Sequence, residues 1–284
     1  MCRLFGFRSV IQSKMHRSLI HAENALMYQS ELHPDGWGVS YYIDDCPHLI
    51  KSIETAVDDT LFEKVSGVVS SQTVLAHLRK TTIGENSILN THPFQHGKWT
   101  FAHNGNIKNF EIHKEALKKL INEKYINYIL GSTDSEIIFF ILLSEIYIQS
   151  KKNTINIDQN LIYASIKNSI SNITSIIGDH TINDSDPPSE TFLSFILTNG
   201  NLMVCYNGGK TLHYSTHKNA CEDRDDCKFY SKACENEIEK VENLKANHLI
   251  ISSEVIKGSN IWIKLNPKEI VGVDQNMNFF KKSL

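Results

Sequence analysis

At 284 residues with a formal net charge of −3, the chain is long enough to bury a large core and has no global attraction for phosphate backbones or anionic lipid. Its 41% hydrophobic and 21% charged residues suit a folded globular protein and exclude a disordered or fibrous one. The most apolar run, residues 137–143, is far short of the ~20 residues that cross a bilayer, so neither nucleic acid nor a membrane is expected as a partner.

Residues 3–8 alternate like a strand and lack the long apolar stretch of a secretory signal, which predicts a cytoplasmic protein whose six cysteines are thiols. Residues 15–30 carry Leu19, Ala22, Leu26 and Met27 at helical spacing. A Pro34-Asp35-Gly36 turn then leads into a strand over 37–43, and Asp58-Asp59-Thr60 announces a helix through Leu61, Phe62, Val65 and Val68. Residues 72–78 and 99–102 read as strands, and 109–124 and 132–150 as helices. The second of these helices has Asp134 and Glu136 in its first turn, near the positive end of the helix dipole. Residues 151–190 are rich in Asn, Ser and Ile, with room for a helix in the middle and a Pro-Pro loop at 184–189. Strands return at 191–198, 202–207, 212–215, 248–252 and 261–265, several separated by Asn-Gly or Gly-Gly turns. Strands at both ends with helices between predict an α+β layered fold in which late strands complete a sheet begun by early ones. One domain over 2–284 is expected, with a loop boundary near 184–190.

Removal of Met1 would leave Cys2 with both a thiol and a free α-amine. An α-amine titrates near about 7.7 to 8.0, so it can take a proton from the thiol and return it to a leaving amine. On its own, Cys2 is equally a small apolar residue of an edge strand. Three downstream segments supply what an amide-cleaving thiol needs. Arg79 stands just past a strand and is followed by hydroxyls and a glycine, a place where a guanidinium can grip a carboxylate in bidentate fashion or simply face solvent. His103-Asn104-Gly105 ends an apolar strand; Asn-Gly is commonly a hairpin turn, yet a side-chain amide beside a glycine N–H also makes an oxyanion hole. Asp134 is either a helix cap or a carboxylate for a substrate ammonium. Arg79 and Asp134 together would hold both ends of an α-amino acid and aim its side chain at Cys2.

The opening Met1-Cys2, Arg79 after its strand, Asn90-Thr91-His92-Pro93-Phe94, His103-Asn104-Gly105 and Thr133-Asp134-Ser135-Glu136 occur in the order of the class II glutamine amidotransferases, and the chain resembles that family. Met1-Cys2-Arg3-Leu4-Phe5-Gly6 and His33-Pro34-Asp35-Gly36-Trp37-Gly38 resemble its short stand-alone branch, which includes γ-glutamyl hydrolases. The resemblance implies the N-terminal-nucleophile fold, a four-layer αββα sandwich of two antiparallel sheets between helical layers. It also implies roles: Cys2 as nucleophile, Asn104 and Gly105 as oxyanion hole, Arg79 as carboxylate clamp and Asp134 as amine clamp. Thr82 falls in the loop that contacts substrate and His92 in a segment that supports the site. The implied reaction cleaves the side-chain amide of glutamine or a γ-glutamyl compound through a Cys2 thioester, giving glutamate and ammonia or an amine, with no cofactor. Larger members carry Arg-Trp where this chain has Arg79-Lys80, and a histidine in some where Ile83 stands. They also continue into a synthase domain, for which the segment after Glu190 is too short and too β-rich. Water or a separate ammonia-accepting synthase is then the acceptor, and a non-catalytic glutamine-sensing subunit is the alternative.

Among the histidines, His92 and His96 have the spacing of two helical metal ligands, but Pro93 and Gly97 argue against a helix there, and no catalytic metal is expected. Cys221, Cys227 and Cys234 follow His213 and His217 without matching a zinc ribbon; unligated thiols are the expectation, with a structural metal or a disulfide as the alternative.

Overall fold

Strand β1 (Arg3–Lys14) turns Leu4 and Gly6 to one side and Phe5 and Phe7 to the other, and both sides are covered. That two-sided burial sets the layering. In the computed structural model, which describes residues 2–14, 17–152, 157–221, 224–238 and 245–284, β1 is central to a sheet with β2 (Trp37–Ile43), β3 (Cys46–Ser52), β4 (Ser70–Leu78), β9 (His213–Ser215), β10 (His248–Ser252) and β11 (Ile263–Lys264). Its order is β11-β9-β10-β1-β4-β2-β3. The second sheet contains β5 (Phe94–His96), β6 (Trp99–Asn106), β7 (Phe192–Thr198), β8 (Met203–Tyr206), β12 (Glu269–Val273) and β13 (Phe279–Ser283), in the order β13-β12-β8-β7-β6-β5. All the pairings are antiparallel.

Leu4, Leu75, Ala102, Ile196, Met203 and Val271 fill the space between the sheets. Outside the seven-stranded sheet, Phe5, Val74 and Ile250 pack with Leu19 and Leu26 and with Phe62 and Val65 of α2 (Thr60–Val68). Asp59 caps α2 by accepting the Leu61 N–H at 2.9 Å, and it also accepts the Trp37 indole N–H at 3.0 Å, so one carboxylate sets both helix start and strand start. Outside the six-stranded sheet, Phe101, Phe195 and Tyr206 pack against Phe139 and Leu142 of α5 (Asp134–Lys152) and Ile162 and Ile166 of α6 (Gln159–Ile177). Helix α5 is buried on all sides from Ile137 to Leu143 because it lies between the sheet and α6, which is why that stretch is apolar without a polar face. The arrangement is the expected four-layer αββα sandwich.

Several elements differ from the sequence reading. The helix expected over 15–30 begins outside the described residues, and from Arg17 onward it is a π-helical turn (Arg17–His21), a short α1 (Leu26–Gln29) and a 3-10 turn (Ser30–Leu32). Asn24 interrupts it: its side-chain amide donates to the Val255 carbonyl at 2.7 Å and accepts the Lys257 N–H at 2.9 Å, tying the chain to a distant loop. The helix expected over 109–124 divides into α3 (Phe110–Lys118) and α4 (Glu123–Ile126), because Asn122 caps the second by accepting the Lys124 N–H at 3.2 Å. Strands β3, β5, β12 and β13 were not expected. Pro47 near the start of β3 reads as a break, but β3 is an edge strand, where a missing N–H costs no ladder bond.

Candidate active site

Cys2 stands immediately before β1, where Arg3 pairs with Leu78 at the end of β4. The chain just beyond β4 therefore passes the thiol. Lys80 N–H donates to Cys2 Sγ at 3.3 Å, and the thiol faces the Lys80 carbonyl at 3.5 Å. Cys2 is 9% exposed. Burial pushes its pKa up, the Lys80 backbone and the Arg79 charge pull it down, and the Asp134 charge pushes it up again. Arg79 and Asp134 are thus electrostatic neighbours of the sulfur.

Asp134 lies at the end of β6. Its carboxylate accepts the N–H of Ile107, the residue just past β6, at 2.6 Å, and the N–H of Ser135 at 2.8 Å. Asp134 therefore reaches the end of β6 that carries Asn104 and Gly105, and its charge is felt at Cys2. The Asn-Gly pair forms no hairpin. Both residues are within β6 and pair with Ser194 and Leu193 of β7. Asn104 is buried, and its Oδ1 has no partner among the described residues. A β-carbon on Gly105 would lie 2.0 Å from the Phe192 carbonyl oxygen and 2.6 Å from His103 Nε2. Gly105→Ala is therefore expected to destabilise the fold by at least about 3 kcal/mol in denaturant unfolding, since backbone must move to admit the methyl group; an unchanged midpoint would show that the strands tolerate it.

Two supports were not singled out from the sequence. His103 bonds through Nδ1 to Ser135 Oγ at 2.9 Å and through Nε2 to the Phe192 carbonyl at 3.0 Å. Burial lowers its pKa to about 4, so it is a neutral strut joining β6, β7 and the start of α5 rather than a charge. Asn90 donates to the Glu85 carbonyl at 3.0 Å and accepts the Ser132 N–H at 2.8 Å, fastening the loop after β4 to the turn before α5. Within the motif Asn90-Thr91-His92 it is the asparagine that makes this link.

Arg79 is 3% exposed and spends its guanidinium on its own loop, donating to the carbonyls of Ile83 at 3.3 Å and Glu85 at 3.1 Å and to Asn86 Oδ1 at 3.3 Å. The loop is also held from the other side, where Asp35 accepts the Thr81 N–H at 2.7 Å. Thr82 is exposed on this loop. His92 lies deeper, with its ring 4.2 Å from that of His77 and 4.7 Å from that of Phe94, so it packs behind the site. Burial first, and then the neighbouring His77, His103, Lys51 and Arg79, hold His92 far below its usual pKa. Among the described residues, no three His, Cys, Asp or Glu side chains come together as a metal-ligand set.

Residues 1–278 match the family model for class II glutamine amidotransferases. The chain belongs to that family. Among its relatives is the probable glutamine amidotransferase DUG3 of Saccharomyces cerevisiae, 32% identical over 160 residues, which are 50% of this chain and 45% of that protein. Another is the gamma-glutamyl-hercynylcysteine sulfoxide hydrolase of Mycobacterium tuberculosis, 35% identical over 75 residues, 26% of this chain and 32% of that one. The chain thus spans less than half the length of either relative. A glutamine aminotransferase class-II domain protein from Silicibacter pomeroyi has the same fold, with a TM-score of 0.62 at 18% identity covering 100% of this chain and 98% of that one. The two stacked antiparallel sheets and their helical layers are accordingly the N-terminal-nucleophile fold of the amidotransferase family. Among the described residues, no helix is long and apolar enough to cross a membrane.

Proposed function

We propose that this amidotransferase-family chain cleaves the side-chain amide of glutamine or of a γ-glutamyl compound through a thioester on Cys2. The observation that carries the reading is the thiol at the end of β4, with the Arg79 and Asp134 charges on either side of it in sign. Cys2 Sγ attacks the side-chain carbonyl carbon, and the oxygen that becomes negative is stabilised by the Asn104 amide and the Gly105 N–H. The carbon–nitrogen bond breaks, the amine or ammonia leaves with the thiol's proton, and water hydrolyses the thioester to glutamate. The α-amine freed by loss of Met1 relays the protons; Met1 lies outside the described residues. Both relatives bear names that fit this chemistry, one an amidotransferase and the other a γ-glutamyl hydrolase. Water is the simplest acceptor, and a separate synthase taking up ammonia is the variant to test beside it.

Arg79 must exchange partners for this to work. A substrate α-carboxylate would replace neutral carbonyl acceptors with a charged one, and charge-assisted bonds are about twice as strong, so substrate arrival favours the exchange and draws the 80–86 loop into a new position. Arg79→Lys keeps the charge but loses the fork. It is expected to raise KM for glutamine by at least ~10-fold with a smaller change in kcat, measured by steady-state glutamate release; an unaltered KM would remove Arg79 from the clamp.

Asp134 adds a pH dependence. Burial raises its pKa to about 6 against the lowering effect of the Ile107 and Ser135 bonds. Because the folded value lies above the ordinary 3.8, protonation favours the folded state: this group's stabilising contribution is full below pH 3.8 and lost as pH rises through about 6. Ammonium binding needs the opposite, the ionised form. kcat/KM is therefore expected to fall as pH drops through about 6, and that acid limb should disappear in Asp134→Asn, whose remaining activity is low at every pH. Persistence of the same limb in the variant would assign it to another group.

The test of the reading as a whole is intact mass of the purified protein, then trapping with an electrophilic glutamine analogue and a turnover panel of γ-glutamyl amides. Loss of Met1 and a single label on Cys2 support the mechanism, and the best substrate of the panel selects between glutaminase and γ-glutamyl hydrolase. One observation favours a second reading: the thiol is buried and its pKa raised, as suits a non-catalytic glutamine-sensing subunit. Retained Met1, an unlabelled Cys2 and saturable glutamine binding would select it.

A further inference from the structure

The outer face of the seven-stranded sheet holds a cavity of about 510 Å³, lined by the far half of β1, by β10 and by the loops after β9 and β10. It opens about 20 Å along β1 from Cys2, taking ~3.3 Å per strand residue. Its floor is two cross-strand pairs, Phe7 with Ile250 and Ser9 with His248. Lys218 and Asn260 stand together on one wall, joined by an antiparallel bridge. Cys221, Cys227 and Cys234 line it as free thiols, which behave as small apolar groups. The volume is that of a small-molecule site.

Two of the lining side chains carry a buried polar atom without a partner among the described residues: Nε2 of His248, a residue only 9% exposed, and Oδ1 of Asn260. Each such buried atom costs about 1–3 kcal/mol unless something bonds to it. Burial and the nearby Lys218 and His217 charges push the His248 pKa down to about 3, so the imidazole is neutral at physiological pH and can accept or donate. No carboxylate lines the cavity among the described residues, whereas Lys218 and Lys257 do, and Lys257 is already paired with Glu23. A ligand that satisfies this lining brings negative charge to Lys218, a neutral donor to Asn260 and His248, and an apolar body to Phe7 and Ile250. Among the described lining residues, a cation would meet no carboxylate.

We propose that this cavity binds a small organic anion with an apolar or aromatic body, its acid group held by Lys218 and a neutral N–H or O–H shared by Asn260 and His248. Anilinonaphthalene sulfonate has these three features and serves as the probe. Titration into the full chain should give one saturable fluorescent site, and Lys218→Met should weaken it ~10-fold, the loss of one charge-assisted bond. In the wild-type chain the bound probe should slow iodoacetamide alkylation of Cys221 and Cys227, read by peptide mass, and leave unchanged the exposed Cys46 on the β2–β3 edge. The alkylation measurement stands even if the variant fails to fold. Non-saturable fluorescence, an unchanged Lys218→Met affinity in a folded variant, or equal protection of Cys46 would overturn the proposal and leave the two polar atoms to bound water.

Discussion

Cys2→Ala is expected to lower turnover of glutamine and γ-glutamyl amides by at least ~10⁴-fold while leaving the fold in place, because removing a covalent nucleophile removes the whole thioester route. The structure gives the reason that stability should survive. Cys2 precedes β1 rather than lying within its ladder, so the strand pairing from Arg3 to Leu78 onward does not depend on the thiol. What is lost is packing of one sulfur and the weak contacts with Lys80. Circular dichroism and the melting temperature should remain close to wild type, and the electrophilic glutamine analogue should no longer label the protein. Cys2→Ser is the sharper variant, since it keeps a nucleophile of similar size with a far less acidic proton; slow residual turnover there, with none in Cys2→Ala, would separate nucleophilic attack from simple water activation. Wild-type turnover in Cys2→Ala would sink the mechanism outright.

The parts of this arrangement that could be read from the sequence were those carried by residue type in a short window. Alternation marks β1, the Pro34-Asp35-Gly36 turn marks the start of β2, Asp59 before an apolar run marks α2, and the ordered motifs carry Cys2, Arg79, Asn104 and Asp134. What could not be read depended on partners distant in the chain. Asn104-Gly105 has the composition of a turn, and only the pairing with Leu193 and Ser194, some ninety residues on, keeps it extended. Arg79 looked like a free clamp, but the carbonyls it holds at Ile83 and Glu85 become visible only once the loop is folded back. His103 gave no sign that its two nitrogens join β7 to α5, because Ser135 and Phe192 are separated from it by 32 and 89 positions. The strand β12 is a short run, Glu-Ile-Val-Gly-Val, whose glycine reads as a breaker; in the sheet Gly272 is needed because a β-carbon would meet the Phe280 ring at 2.6 Å.

Asn104→Ala is expected to reduce kcat by ~10²–10³-fold, the usual cost of one oxyanion-hole donor, with KM for glutamine little changed. The amide acts on an oxygen that becomes negative only as the thiol attacks, so its loss falls on the transition state rather than on binding. Stability should move the other way. Asn104 contributes its backbone to the β6–β7 ladder, which alanine preserves, while its buried Oδ1 has no partner among the described residues and is a cost to the folded state. Alanine removes that unpaired oxygen, so the variant should be as stable as wild type or slightly more so, and much slower. Such a pairing of lost activity with retained or improved stability marks a residue kept for chemistry. Steady-state kinetics and thermal unfolding on the same preparation decide it: a fall in kcat accompanied by a large drop in melting temperature would make Asn104 a structural residue of β6, and an unchanged kcat would leave Gly105 alone to stabilise the oxyanion.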